Sequence, residues 1–184
     1  HALSCAKSEV TADRLLIVPG DNYVNAESIR ALIREENGAL VAPHKRPWDY
    51  GVITQKEGIL CSTNMHAHDV PSGSLVETGA YILGKKLYGA FFEIDEPDKI
   101  VNDMPYTGHN VKVVEAKGWY DADCFTDLLE LNRYLLGKQK SIIRGSVDQR
   151  AVIRGHVVLG KNVKVGPGTV IYGPAVIGDD CEIH

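Results

Sequence analysis

From residue 145 to the last residue the chain repeats with a period of six. Val147, Ile153, Leu159, Val165, Ile171, Ile177 and Ile183 recur at that spacing. Two positions ahead of each stands a residue no larger than valine: Gly145, Ala151, Val157, Val163, Thr169, Ala175 and Cys181. An α-helix repeats near 3.6 residues and a strand at two, so neither produces this pattern. A β-solenoid does, because each short strand forms one side of a coil and its aliphatic residue points inward to stack on the coil beneath. Gly160, Gly166 and Gly178 follow the inward residue and are expected at the tight corners. A coil stabilised only by its neighbours leaves an apolar end, so these coils are expected to form an oligomerisation surface.

The chain ahead of the repeat reads differently. Residues 14–23, RLLIVPGDNY, form an apolar run broken by Pro19-Gly20 and followed by Asp21 and Asn22. Continuous apolar runs suit strands buried on both faces of a parallel sheet. Asp21 would then stand at the carboxyl edge of such a strand, where open α/β sheets bind ligands. Asn25 can cap a helix with Ser28 three residues on and Ile29, Leu32 and Ile33 as its buried stripe. Gly38 ends that helix, and residues 39–42 form the next buried strand, a β-α-β unit that predicts a parallel sheet.

Residues 51–54 and 59–62 read as a hairpin around a short loop containing Gly58. His66 and His68 fall in an irregular stretch and read as surface histidines. Residues 76–83 predict a strand, and Gly79 within it marks a place where a ligand or another backbone comes close. Helices are predicted over residues 1–10, 85–93 and 97–104, then a strand over 111–115. A leucine-rich helix over 125–136 should turn Leu128, Leu129, Leu131, Leu135 and Leu136 inward. Asp123 reads either as the cap of that helix or as a functional carboxylate.

Composition narrows the function classes. The 184 residues are 44% hydrophobic and 24% charged with a net charge of -4, the profile of a globular protein without a nucleic-acid footprint. Lys138, Lys140, Arg144, Arg150 and Arg154 cluster near the start of the repeat and read as a solvated face. No run is long and apolar enough for a transmembrane helix, and the first residues lack a signal-peptide layout, so a cytoplasmic protein is expected. Cys5, Cys61, Cys124 and Cys181 are scattered without Cys-x-x-Cys spacing, which points away from a zinc site. The chain starts without methionine and stops inside a repeat, which predicts a piece of a longer polypeptide.

Taken in order, Gly20-Asp21-Asn22, Tyr50-Gly51-Val52-Ile53, Glu77-Thr78-Gly79-Ala80-Tyr81, Gly118-Trp119-Tyr120-Asp121 before a leucine-rich helix, and hexapeptide repeats resemble one family. It is that of the sugar-1-phosphate nucleotidyltransferases with a carboxyl-terminal left-handed β-helix, such as glucose-1-phosphate thymidylyltransferases and bifunctional UDP-N-acetylglucosamine pyrophosphorylases. The resemblance covers nearly the whole chain. It implies an incomplete Rossmann-like α/β nucleotidyltransferase domain over residues 1–138, then the start of a left-handed β-helix over residues 139–184.

It also implies Mg²⁺ as cofactor, held by Asp21 and Asp121 as catalytic metal ligands. A sugar 1-phosphate and UTP or dTTP would be the substrates, with Tyr50, Gly51, Glu77, Thr78 and Gly79 lining the sugar pocket. Three features depart from the family. Its Gly-rich triphosphate loop would precede residue 1, its Glu-Lys-Pro is replaced by His66-Ala67-His68, and its Asn by Glu77. Two alternatives follow: a non-catalytic nucleotide-sugar-binding or regulatory paralogue, or a hexapeptide acyltransferase using acetyl-CoA with His156 as base.

Overall fold

The computed structural model describes residues 5–65, 67–92 and 108–184. The chain divides into two compact units, His1–Asp121 and Ala122–His184, where the sequence suggested a boundary at 138/139. The helix expected over 97–104, the first residues of the one expected over 1–10, and His66 lie outside the described residues.

The first unit is built on a six-stranded sheet whose strands lie in the order β1 (Arg14–Ile17), β6 (Leu75–Gly84), β3 (Gly38–Pro43), β7 (Lys112–Glu115), β5 (Ile59–Asn64), β4 (Val52–Lys56). Its centre is β3 (Gly38–Pro43), whose residues 38–42 are all buried, as its unbroken apolar run requires. β3 runs parallel to β7 (Lys112–Glu115) but antiparallel to β6 (Leu75–Gly84). The sheet is therefore mixed, correcting the expectation of a parallel one. The run at the start of the chain is also corrected. β1 (Arg14–Ile17) is an edge strand paired antiparallel to β6 only, alternating exposed and half-buried, with Leu16 40% exposed. Four apolar residues in a row cannot by themselves distinguish a central strand from an edge strand. β1 and β3 do run in the same direction, with β6 inserted between them, so the crossover was legible but its neighbour was not.

β4 (Val52–Lys56) and β5 (Ile59–Asn64) form the expected hairpin. Its two-residue turn places Glu57 and Gly58 at positive φ, 53° and 76°, the geometry that matches strand twist. Helix α1 (Ala26–Leu32) starts where Asn25 Oδ1 accepts the Ser28 N–H at 2.8 Å. It buries Leu32 against Leu40, Ala80 and Ile82, whereas Ile33, expected in the same stripe, is 39% exposed. Each fully buried leucine contributes about 1.5–3 kcal/mol of transfer free energy. Helix α2 (Lys85–Phe91) follows β6 directly and packs Leu87 and Tyr88 into a second cluster with Val41, Leu60 and Leu83. Outside the main sheet, β2 (Asn22–Val24) and β8 (Trp119–Asp121) form a separate antiparallel ribbon.

The second unit opens with α3 (Phe125–Gly137), whose amino-terminal cap is Cys124. The Cys124 N–H donates to Asp127 Oδ2 at 3.0 Å, so Asp123 is not the cap. No residue of α3 is buried; Leu131, Leu135 and Leu136 are half-buried, but Leu128 and Leu129 are 49% and 68% exposed, which corrects the inward face expected of those two. Periodicity establishes an apolar stripe on a helix but not a surface to cover it.

The repeat forms the expected solenoid, described by three stacks of parallel pairs. They are β10 (Ser146–Val147) with β13 (Lys164–Val165) and β16 (Glu182–Ile183), β11 (Val152–Arg154) with β14 (Val170–Tyr172), and β9 (Ile142–Ile143), β12 (Val157–Leu159) and β15 (Ala175–Ile177). Val147, Val165 and Ile183 are in register, eighteen residues apart, so three six-residue sides make one coil. Val157, Leu159, Val163 and Val165 are its most buried residues, and every other described hexapeptide position except Gly145, Thr169 and Ile183 packs against them. Gly160, Gly166 and Gly178 directly follow β12, β13 and β15, while the left-handed conformation is taken by Gly155, Asn162, Gly168 and Asp180, at φ 57° to 80°. Asn and Asp tolerate that conformation because their side chains bond locally.

Candidate active site on the β2–β8 ribbon

The ribbon pairs two three-residue strands that are nearly a hundred positions apart in sequence. Asn22 lies opposite Asp121, Tyr23 opposite Tyr120 and Val24 opposite Trp119. Alternate residues of a strand share a face, so Trp119 and Asp121 both reach across toward Asn22. The Asn22 amide nitrogen donates to Asp121 Oδ1 at 2.8 Å and to Asp21 Oδ1 at 3.1 Å, and its carbonyl accepts the Trp119 indole N–H at 2.6 Å. Ligand oxygens of Asp21 and Asp121 lie within 4.8 Å of each other. Asp21 is exposed and Asp121 half-buried.

Two carboxylates this close repel each other unless a cation or donors stand between them. The Asn22 amide supplies one N–H to each. Two Mg–O bonds end to end span about 4.2 Å, so the pair stands close to bridging distance for a small divalent ion. An all-oxygen donor set of this kind suits Mg²⁺ better than a soft metal.

The ribbon is held by α1 and by β6. Ser28, fully buried in the first turn of α1, accepts the Lys117 N–H at 2.8 Å and the Gly118 N–H at 3.4 Å, just before β8. The Asn25 N–H donates to the Gly118 carbonyl at 2.9 Å. Sequence reasoning saw Ser28 only as a helix-starting residue; nothing in its spacing signals a partner so distant in the chain.

The Asp21 loop rests on Gly79. At φ 72° Gly79 occupies the left-handed region, and a β-carbon there would lie 2.7 Å from the Pro19 ring. The strand is irregular at this point, since Ala39 pairs Tyr81 but Val41 pairs Glu77. Thr78, which is buried, donates its hydroxyl to the Leu40 carbonyl at 2.8 Å and accepts the Ala80 N–H at 3.3 Å. Its side chain is thereby committed to backbone.

The remaining pocket residues meet around Gly51. The Gly51 carbonyl accepts the Glu77 N–H at 2.9 Å, and a β-carbon at Gly51 would stand 2.7 Å from Glu77 Oε1. Tyr81 donates its hydroxyl to Glu77 Oε2 at 2.6 Å. Burial, and then the adjacent Glu77 carboxylate, hold the Tyr81 phenol well above its ordinary pKa. Tyr50 packs edge-on against His44 and Trp119, at centroid distances of 4.6 and 5.6 Å. Tyr50 thus adjoins the ribbon through Trp119. His156 is exposed on the solenoid.

Comparison with known proteins gives these residues a context. Residues 156–184 match the family described as bacterial transferase hexapeptide (six repeats). The chain is 27% identical over 170 residues to the bifunctional protein GlmU of Methanocaldococcus jannaschii, covering 86% of this chain and 40% of that one. It is 25% identical over 194 residues to a glucose-1-phosphate thymidylyltransferase of Streptomyces griseus, covering 97% and 54%. Among solved structures, UDP-glucose pyrophosphorylase from Acinetobacter baumannii superposes with a TM-score of 0.60 at 15% identity, over 73% of this chain and 54% of that one, which shows a shared fold. The chain thus spans about half the length of these relatives. It is similar, at 25–27% identity, to sugar-1-phosphate nucleotidyltransferases, shares its fold with a UDP-glucose pyrophosphorylase, and matches the hexapeptide family over residues 156–184.

Proposed function

We propose that the protein transfers a nucleotidyl group from UTP or dTTP to a sugar 1-phosphate, releasing pyrophosphate, with Asp21 and Asp121 holding Mg²⁺. The observation that carries this reading is the meeting of the two carboxylates on one short ribbon, bridged by Asn22. In such a reaction a phosphate oxygen of the sugar phosphate attacks the α-phosphorus of the triphosphate, and the bond to pyrophosphate breaks. The chemistry asks little of acids or bases; orientation and neutralisation of negative charge carry the rate. Mg²⁺, when bound, supplies that neutralisation. The chain's own residues place its ligands: Asn22 spaces the carboxylates, Ser28 fixes the turn before Asp121, and Gly79 seats the loop that ends at Asp21.

Tyr50, Gly51, Glu77, Thr78 and Gly79 are proposed to shape the sugar pocket. Gly51 lets the Glu77, Met65 and Thr63 side chains close in on its backbone, and the Tyr81 hydroxyl restrains the Glu77 carboxylate. The solenoid is proposed to be a left-handed β-helix that joins copies of the chain. Ile142 and Val176 on one side, and Val152 and Val170 on another, are outward-facing and 40–52% exposed, an apolar surface suited to a second copy. A cytoplasmic location fits nucleotide substrates, and among the described residues no helix is long and apolar enough to cross a membrane.

The test is pyrophosphate release from UTP and dTTP with a panel of sugar 1-phosphates, measured on the whole protein. Asp21→Ala and Asp121→Ala should each lower turnover by at least about a hundredfold, given the several kcal/mol a metal supplies to such a transition state. Release that persists in both variants sinks the assignment. Consumption of acetyl-CoA unaffected by Asp21→Ala would favour an acyltransferase in its place.

A further inference from the structure

We infer that Trp119 is a positioning residue for the paired carboxylates, acting through the orientation of the Asn22 side chain; the inference rests on the metal reading above. An asparagine amide is nearly symmetric in shape but not in chemistry, with two donors on one side and an acceptor on the other. Rotated one way, Asn22 offers N–H groups to Asp21 and Asp121. Rotated the other way, it turns a carbonyl oxygen toward two carboxylates and adds to their repulsion.

The indole decides between these states. It can only donate, so the group it meets must be the Asn22 carbonyl, and the observed 2.6 Å bond selects the rotation that bridges the carboxylates. The ring itself is restrained, since it packs edge-on against Tyr50 at 5.6 Å and His44 at 5.9 Å. Strand register does the rest. Asp121 stands opposite Asn22 and Trp119 two residues earlier on the same face, so one side chain meets the indole and both carboxylates. The Gly20-Asp21-Asn22 and Trp119-Tyr120-Asp121 segments thus form one hydrogen-bonded unit. Asn22 and Trp119 belong to it alongside the two aspartates.

The test measures Mn²⁺ affinity by paramagnetic resonance of the free ion, a readout independent of turnover. Trp119→Phe keeps an aromatic ring toward Tyr50 and His44 while removing the N–H and part of the indole's bulk, and should weaken Mn²⁺ about tenfold, the lower end for loss of a group that orients metal ligands. Asn22→Ala should cost at least as much, and adding Trp119→Phe to it should cost nothing further, because the indole then has no amide to turn. Losses that add in the double variant, or an unchanged Trp119→Phe, overturn the inference while leaving the metal reading intact. A wild-type chain that binds no Mn²⁺, or binding untouched by Asp121→Asn, overturns the metal reading and this inference with it. A measurement on the unmutated chain guards against misfolded variants. The indole proton of Trp119 should exchange with solvent at least about tenfold more slowly than that of Trp48, which is 43% exposed, and equal rates would refute the bond on which everything here depends.

Discussion

Replacing Ser28 by alanine tests how the fold delivers Asp121 to the site. The substitution removes one oxygen from a fully buried side chain, leaves almost no cavity, and strands the Lys117 and Gly118 N–H groups that bonded to it at 2.8 and 3.4 Å. An unpaired buried donor costs about 1–3 kcal/mol. The bond at 3.4 Å is weak, and Lys117 is exposed, so water can reach one of the freed groups and the loss belongs in the lower half, about 1–1.5 kcal/mol. With an urea dependence of about 2 kcal/mol per molar, the unfolding midpoint should fall by about 0.5–0.75 M. Tryptophan fluorescence is the right probe, because Trp48 and Trp119 are the chain's two tryptophans and both lie in the first unit. The same variant should weaken Mn²⁺ binding, since the turn it loosens leads directly into Trp119–Asp121. A midpoint within about 0.2 M of wild type, alongside an Asn25→Ala control that loses the ~1 kcal/mol expected of a helix cap, would show that the serine hydroxyl does not hold this turn.

Three other perturbations follow from the same structure. Gly79→Ala combines positive φ with a β-carbon 2.7 Å from the Pro19 ring, and should lower stability by more than about 1–2 kcal/mol in thermal unfolding; a neutral result would mean that the loop bearing Asp21 is not seated there. Tyr81 has its pKa raised in the folded state, so its contribution to stability is present below about pH 10 and lost as pH rises beyond that. Urea midpoints should accordingly fall less between about pH 8 and pH 11 in Tyr81→Phe than in wild type, and parallel falls would refute the linkage. Leu159→Ala, at a fully buried position of the solenoid, should cost about 2.7–5 kcal/mol, seen as faster amide exchange in β9, β12 and β15; unchanged exchange would contradict the inward stacking.

The solenoid was legible because its rule is local and repeated. Each inward residue meets the one eighteen positions on, so period and register are the same information. The hairpin was legible for a similar reason, its turn chemistry lying between the strands it joins. The order of the main sheet was not. β1 resembles a central strand in composition, and only the insertion of β6 beside it, sixty residues later in the chain, makes it an edge. The helix at 125–137 shows the opposite failure: its apolar stripe is real, but a stripe does not reveal what lies over it. Positive φ was not legible at Asn162 and Asp180, because glycine is the default candidate for it; here the two side chains are joined by an Asn162-to-Asp180 bond of 3.0 Å.

At the ribbon, the residues that motifs single out do several different jobs. Asp21 and Asp121 offer oxygens, but Gly79 matters through the room it leaves for Pro19, and Thr78 through a bond to the Leu40 carbonyl on the neighbouring strand. Gly79 thereby seats the loop from which Asp21 projects, and Thr78 ties β6 to β3. Asn22 and Trp119, read as flanking letters of the two motifs, instead join them physically. A short ribbon of two three-residue strands is marginal by itself. It persists here because α1 grips one strand through Ser28 and Asn25, and because the loop into the other carries a proline lodged against β6. Precision at two carboxylates thus depends on groups that touch neither of them, and so substitutions at Ser28 and Gly79 should reach the site without altering a single ligand atom.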